Sequence, residues 1–136
     1  MSLTTLDIKE PGLNVLPPGV ERHTVNAGGL TGLQIFPDDE IEIINDEGNQ
    51  ICEIICFDKD GKSELGILNL KENCKESFIK EILKRKDESS FATNLQLKKR
   101  NLDINKSKSS LLFDDKTPSG ETIKFKSKDK CYVIFS

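Results

Sequence analysis

The chain has 136 residues, about a third of them apolar and about a third charged, with a formal net charge of −3. That length suits one domain with one core, and the composition is too apolar for a disordered chain. No apolar run approaches the ~18 residues a membrane span needs, and no basic segment followed by an apolar block marks a secretory leader, so the expectation is a cytoplasmic protein with no membrane partner.

The charge is unevenly spread. Residues 1–68 carry 4 Lys/Arg against 13 Asp/Glu, and residues 69–136 carry 16 against 10. A basic half invites a nucleic-acid reading. However, it is nearly all lysine, with three Arg in the whole chain. No aromatic run interleaves with it to stack bases. Halves that attract one another within the fold explain the split more simply. The four cysteines (Cys52, Cys56, Cys74, Cys131) lack framework spacing and read as reduced thiols.

In chain order, residues 1–20 read as an extended arm, punctuated by Pro11-Gly12 and Pro17-Pro18-Gly19. Residues 21–136 form the single β-rich domain. Glu21 to Val25 is a short strand candidate, and Ala27-Gly28-Gly29 is a flexible connection. Leu33 to Phe36 leads through Pro37-Asp38-Asp39 into Glu40 to Ile44, which alternates as a half-buried strand does. Asn45 to Asn49 turns the chain, and Gln50 to Phe57 runs as a second strand closed by Asp58-Lys59-Asp60-Gly61. These two strands are expected to pair as a hairpin.

One helix is expected from Asn73, with Glu76 as its capping-box partner and Phe78, Ile79, Ile82 and Leu83 on its apolar stripe. Phe91 to Leu97, Ser109 to Phe113, Thr122 to Lys126 and Cys131 to Phe135 read as strands. The last is the most apolar run, and the chain stops inside it, which suggests a piece cut from a longer protein. The fold expected is mainly β with one helix, an antiparallel β-barrel or curled sandwich.

Tests for chemistry return structural readings. His23 is the sole histidine, which leaves few nucleophile–base pairs. Cys52 and Cys56 share a strand face with Ile54, whereas zinc ligands come from tight Cys-x2-Cys turns. Asp58 to Gly61 brings its glycine too early for a calcium loop and reads as a turn. Gly28 to Gly32 lacks the Gly-Lys-Ser/Thr ending and the helix of a phosphate loop. No catalytic or metal residue is assigned.

The segment Val20 to Phe57 resembles a known family. Asn26-Ala27-Gly28-Gly29, Asp38-Asp39-Glu40-Ile41-Glu42-Ile43 and Glu47-Gly48-Asn49-Gln50-Ile51-Cys52-Glu53 look like the urea-carboxylase-associated domain. That domain also occurs fused ahead of glycine-cleavage T-protein-like aminomethyltransferases. Leu97 to Asp103 and Pro118 to Phe125 are more similar to the fused version. The Gly-x-His-Asp metal stretch of stand-alone members has no counterpart here.

The resemblance implies an accessory or docking domain whose partner is the downstream part of the same polypeptide, with tetrahydrofolate as that part's cofactor and none in this segment. The rival is a small-ligand barrel or stand-alone enzyme, with Arg22, His23, Gly28, Gly29 and Gln50 at the barrel mouth. Homo-oligomers are compatible with either.

Overall fold

The computed structural model describes residues 29–46, 48, 50–113 and 116–136. The expected arm and the Glu21–Val25 strand lie outside them. The described residues form six strands in two antiparallel sheets and a small helical layer. They are β1 (Thr31–Ile35), β2 (Glu40–Asn45), β3 (Glu53–Asp58), β4 (Ser109–Leu111), β5 (Glu121–Lys126) and β6 (Cys131–Phe135). The helices are α1 (Phe78–Ile82) and α2 (Glu88–Arg100).

β3 and β6 lie at the centre of a four-stranded sheet ordered β1-β6-β3-β4. Their runs are apolar at nearly every position, as a strand covered on both faces requires. Ile54, Cys56, Cys131, Val133 and Phe135 face one core cluster with Ile41 and Ile43 of β2. Ile55, Phe57, Tyr132 and Ile134 face a second cluster with Ile79, Ile82, Leu83 and Leu97 of the helical layer. The two-stranded ribbon of β2 and β5 covers one side of the sheet and the helices cover the other. This is a curled sandwich with a helical third layer; the described strands do not close into a barrel.

The expected hairpin is corrected. β2 pairs with β5, and β3 pairs with β4 and β6. β2 is buried on alternate residues only, so it suits a ribbon with one wet face, whereas β3 is buried on successive residues and needs layers on both faces. Charge also selects the pairing. Glu40 and Glu42 stand opposite Lys126 and Lys124, and Glu42 meets Lys124 at 3.6 Å. The acidic half and the basic half therefore do meet within the fold at this ribbon.

The helical region is corrected twice. Ser77, not Asn73, caps α1 by accepting from the Lys80 amide at 3.2 Å. Asn73 instead ties itself to β4, accepting from Leu111 N and donating to Leu111 O. Phe91 to Leu97, expected as a strand, belongs to α2. Its buried residues Ser90, Thr93 and Leu97 are spaced by three and four, Asp87 caps its start, and Asn101 ends it in the left-handed conformation at φ 61. Ser90 Oγ donates to Ile82 O at 2.6 Å, and Asn94 Nδ2 donates to Leu83 O at 2.8 Å. The polar inward face of α2 thus satisfies the carbonyls left open at the end of α1.

The Gly28–Gly32 connection is also revised. Leu30 is buried in the helix-side cluster, and Thr31 and Gly32 already lie in β1. Gly32 faces Tyr132, and a Cβ there would sit 2.0 Å from the tyrosine hydroxyl. The turn at Asp58 is as expected: its Oδ1 accepts from the Asp60 and Lys62 amides at 2.9 Å each, and Gly61 supplies φ 84.

Glu53, only 1% exposed, joins these layers at the start of β3. Oε1 accepts from the Phe78 amide at 2.7 Å and the Ile79 amide at 3.0 Å. Oε2 accepts from Ser77 Oγ at 2.5 Å and Ser109 Oγ at 2.6 Å. We predict that Glu53→Ala, which leaves four donors without their acceptor, two of them in buried bonds that cost about 1–3 kcal/mol each, lowers stability by about 3 kcal/mol in urea unfolding. Glu53→Gln is expected to cost less, because both serine hydroxyls can turn to accept from its amide. Equal stability of the alanine variant and the parent would refute the clamp.

Candidate functional site

The strand registers bring several features to one end of the sandwich. Thr31 and Ile54 both stand opposite Phe135, so β1 and β3 run parallel with β6 between them. Gly29 and Gln50, the two described members of the expected barrel-mouth set, therefore lie beyond the same end of the sheet. Arg22, His23 and Gly28, the other three, lie outside the described residues. β4 leaves at that end too, where the Leu112 amide donates to Cys52 O at 2.8 Å.

A cleft of about 350 Å³ opens there, lined by Leu112, Phe113 and Ile123 with Lys116, Glu121 and neighbouring turn residues. Beside it, Asn45 closes β2 opposite Glu121, and directly opposed residues share a face. Asn45 is 3% exposed, and its Nδ2 donates to Gln50 O at 2.9 Å. Its Oδ1, however, accepts no hydrogen bond from the described residues, which is costly for a buried amide oxygen. The sequence by itself marks Asn45 only as a turn residue. The signal that marks it is its place on the inward phase of Ile41 and Ile43.

The thiols do not add a reactive centre. Burial pushes the Cys52 thiol up to about 12. Cys56 is held well above the ordinary range by its hydrogen bond to Cys131 and by burial in the core. Cys74 is also raised, by desolvation first and then by the nearby Glu53 carboxylate. Cys131 is lowered instead, first by its hydrogen bond with Cys56 and then by Ser127, whose Oγ lies 3.6 Å from its sulfur, but it is closed off in the core at 1% exposure. Thiolates are the nucleophiles and metal ligands, so three raised thiols and one sealed in the core favour packing over chemistry. Among the described residues no group of three or more His, Cys, Asp or Glu is arranged to hold a metal ion. The acidic residues Asp38, Asp39, Glu40 and Glu42 are exposed on the ribbon and its turn. Asp39 Oδ2 is used locally, accepting from the Phe36 amide at 2.9 Å.

On the other side of the sheet, Arg100 lies 4.2 Å from the Tyr132 ring centroid and donates to Gln34 Oε1 at 2.7 Å. These contacts fasten the end of α2 to β1 and β6. None of the described helices is long and apolar enough to cross a membrane.

Fold and site together define a β-rich segment whose ionisable interior is used for assembly, with a small cleft at one end. Comparison with known proteins agrees with a segment of something larger. The chain is 32% identical over 129 residues to the trimethylamine-oxide aldolase of Ruegeria pomeroyi, a match that takes in 95% of this chain and 16% of that enzyme's length. No family model and no solved structure matches. The match makes this chain a relative of one part of a large bacterial enzyme.

Raised pKa values at Cys52, Cys56 and Cys74, with burial of Cys131, give a direct prediction. In the folded protein at neutral pH, alkylation should be slow at all four cysteines, with the partly exposed Cys74 reacting first and faster as pH rises. Immediate labelling of one thiol at neutral pH would instead reveal an activated nucleophile.

Proposed function

We propose that this chain serves as an accessory, docking domain within a larger, folate-dependent aminomethyltransferase-like protein, related to trimethylamine-oxide aldolase. The observation that carries the reading is the shape of the match: nearly all of this chain aligns with about a sixth of the relative. A segment of that share does not have to supply the chemistry of the whole. The resemblance of Glu47 to Glu53 and of Pro118 to Phe125 to the domain fused ahead of such transferases points the same way. In this reading tetrahydrofolate binds the downstream part, and this segment orders or presents that part in the cytoplasm.

The test is calorimetric. Tetrahydrofolate titrated into the 136-residue chain should give no binding heat, while the polypeptide extended past Ser136 as its coding region specifies should bind it. Binding by the short chain, or a reading frame that closes at Ser136, would contradict the proposal.

A second reading rests on Asn45. A buried amide oxygen with no donor among the described residues, beside a cleft of about 350 Å³, suits a small ligand with an N–H group. This reading predicts that methylammonium or formamide shifts the amide resonances of Phe113 and Ile123, and that Asn45→Leu abolishes the response. Unchanged spectra at saturating concentrations of both would remove it.

A further inference from the structure

The amphipathic pattern of α2 is inverted. Its inward face carries Ser90, Thr93 and Leu97, while Phe91 is 72% exposed, Leu95 is 48% exposed and Ala92 is exposed between them. Large apolar side chains grouped on one helix face and left to solvent mark an interaction surface more often than chance. The inward face is already committed to capping α1 through Ser90 and Asn94, so rotating the helix to bury Phe91 would break those bonds.

The outward stripe has a definite order. Glu88, Phe91, Leu95 and Lys98 are spaced by three, four and three residues, the spacing of the seam along which two helices pack side by side. Its ends differ in charge: Asp87 and Glu88 begin the helix, and Lys98 and Lys99 end it. All four are exposed.

Such a stripe complements itself when two copies run antiparallel. With a two-fold axis at the level of Thr93, Phe91 of one copy meets Leu95 of the other. Glu88 meets Lys98, and Asp87 meets Lys99. Each contact occurs twice, as an isologous interface demands. We propose that α2 is the interface of a homodimer of this chain, in which two α2 helices pack antiparallel through Phe91, Ala92 and Leu95 and are held in register by Glu88–Lys98 pairs. The proposal stands independently of the accessory-domain reading, since it concerns only copies of this segment.

A second copy satisfies both features of the stripe at once: the apolar centre buries itself, and the acidic start of each helix finds the basic end of the other. A foreign partner would need to reproduce the same charge order by coincidence.

Sedimentation equilibrium of the 136-residue chain tests this. The average mass should rise from 15.3 kDa towards twice that value as concentration increases. Leu95→Glu alters an exposed position and should hold the mass at one chain. Glu88→Lys and Lys98→Glu each set like charges across both ends of the seam, and each should weaken association ~tenfold or more. An equimolar mixture of those two variants sets opposite charges at both ends and should recover the parent's association. One-chain mass at every concentration overturns the proposal. So do a dimer insensitive to Leu95→Glu and a mixture that associates no better than its components.

Discussion

The carboxylate of Glu53 is the contact on which the rest of the domain depends. A carboxylate buried to this degree is expensive unless its lone pairs are used, and here two backbone amides and two serine hydroxyls use all four. The same residue exchanges both backbone hydrogen bonds with Ser136, so it also fixes the end of the chain after β6. One side chain thereby joins β3, β4 and the start of α1. A five-residue helix has little stability of its own, and the negative charge at its first amides offsets that weakness.

Saturation also decides what Glu53 is for. A buried ionisable residue is ordinarily a reason to suspect an active site. An acid or base in catalysis needs a lone pair or proton to share with substrate, and Glu53 has none to spare. Cys52 and Cys56 reach the same outcome by another route, since burial keeps Cys52 protonated and a hydrogen bond with Cys131, together with burial, keeps Cys56 so. Among the described residues, the cleft near Asn45 and the outward face of α2 are left for the recognition roles proposed above. This distribution accords with a segment that organises or contacts a larger protein of the kind it resembles.

How much of this was legible beforehand varied with the physics involved. Alternation placed β2 and β5, and unbroken apolar runs placed β3 and β6, because burial imposes those periods directly. Pairing was not legible from adjacency: β2 and β3 are consecutive but belong to different sheets. The acid-outward and lysine-outward ribbons held the clue to the true partner. α2 is hard to recognise because Phe91 and Leu95 are apolar yet exposed, while its buried face combines Leu97 with the polar Ser90 and Thr93. Its capping residue Asp87 and its ending Lys98-Lys99-Arg100-Asn101 were the stronger signals. Glu53 looked like any charged strand residue, since its four donors come from Ser77, Phe78, Ile79 and Ser109, which are distant in sequence. At the cleft end, the position of Asn45, whose oxygen finds no donor among the described residues, required the assembled sheets.

Native-state hydrogen exchange is the most direct test of the central claim that Glu53 is a saturated structural clamp. The Phe78 and Ile79 amides open a very short helix and would exchange quickly if they faced water. The account predicts that they exchange as slowly as the amides of β3, through opening of the whole domain. Rapid exchange at those two positions would mean that the carboxylate is free, and Glu53 would return as a candidate for acid–base chemistry.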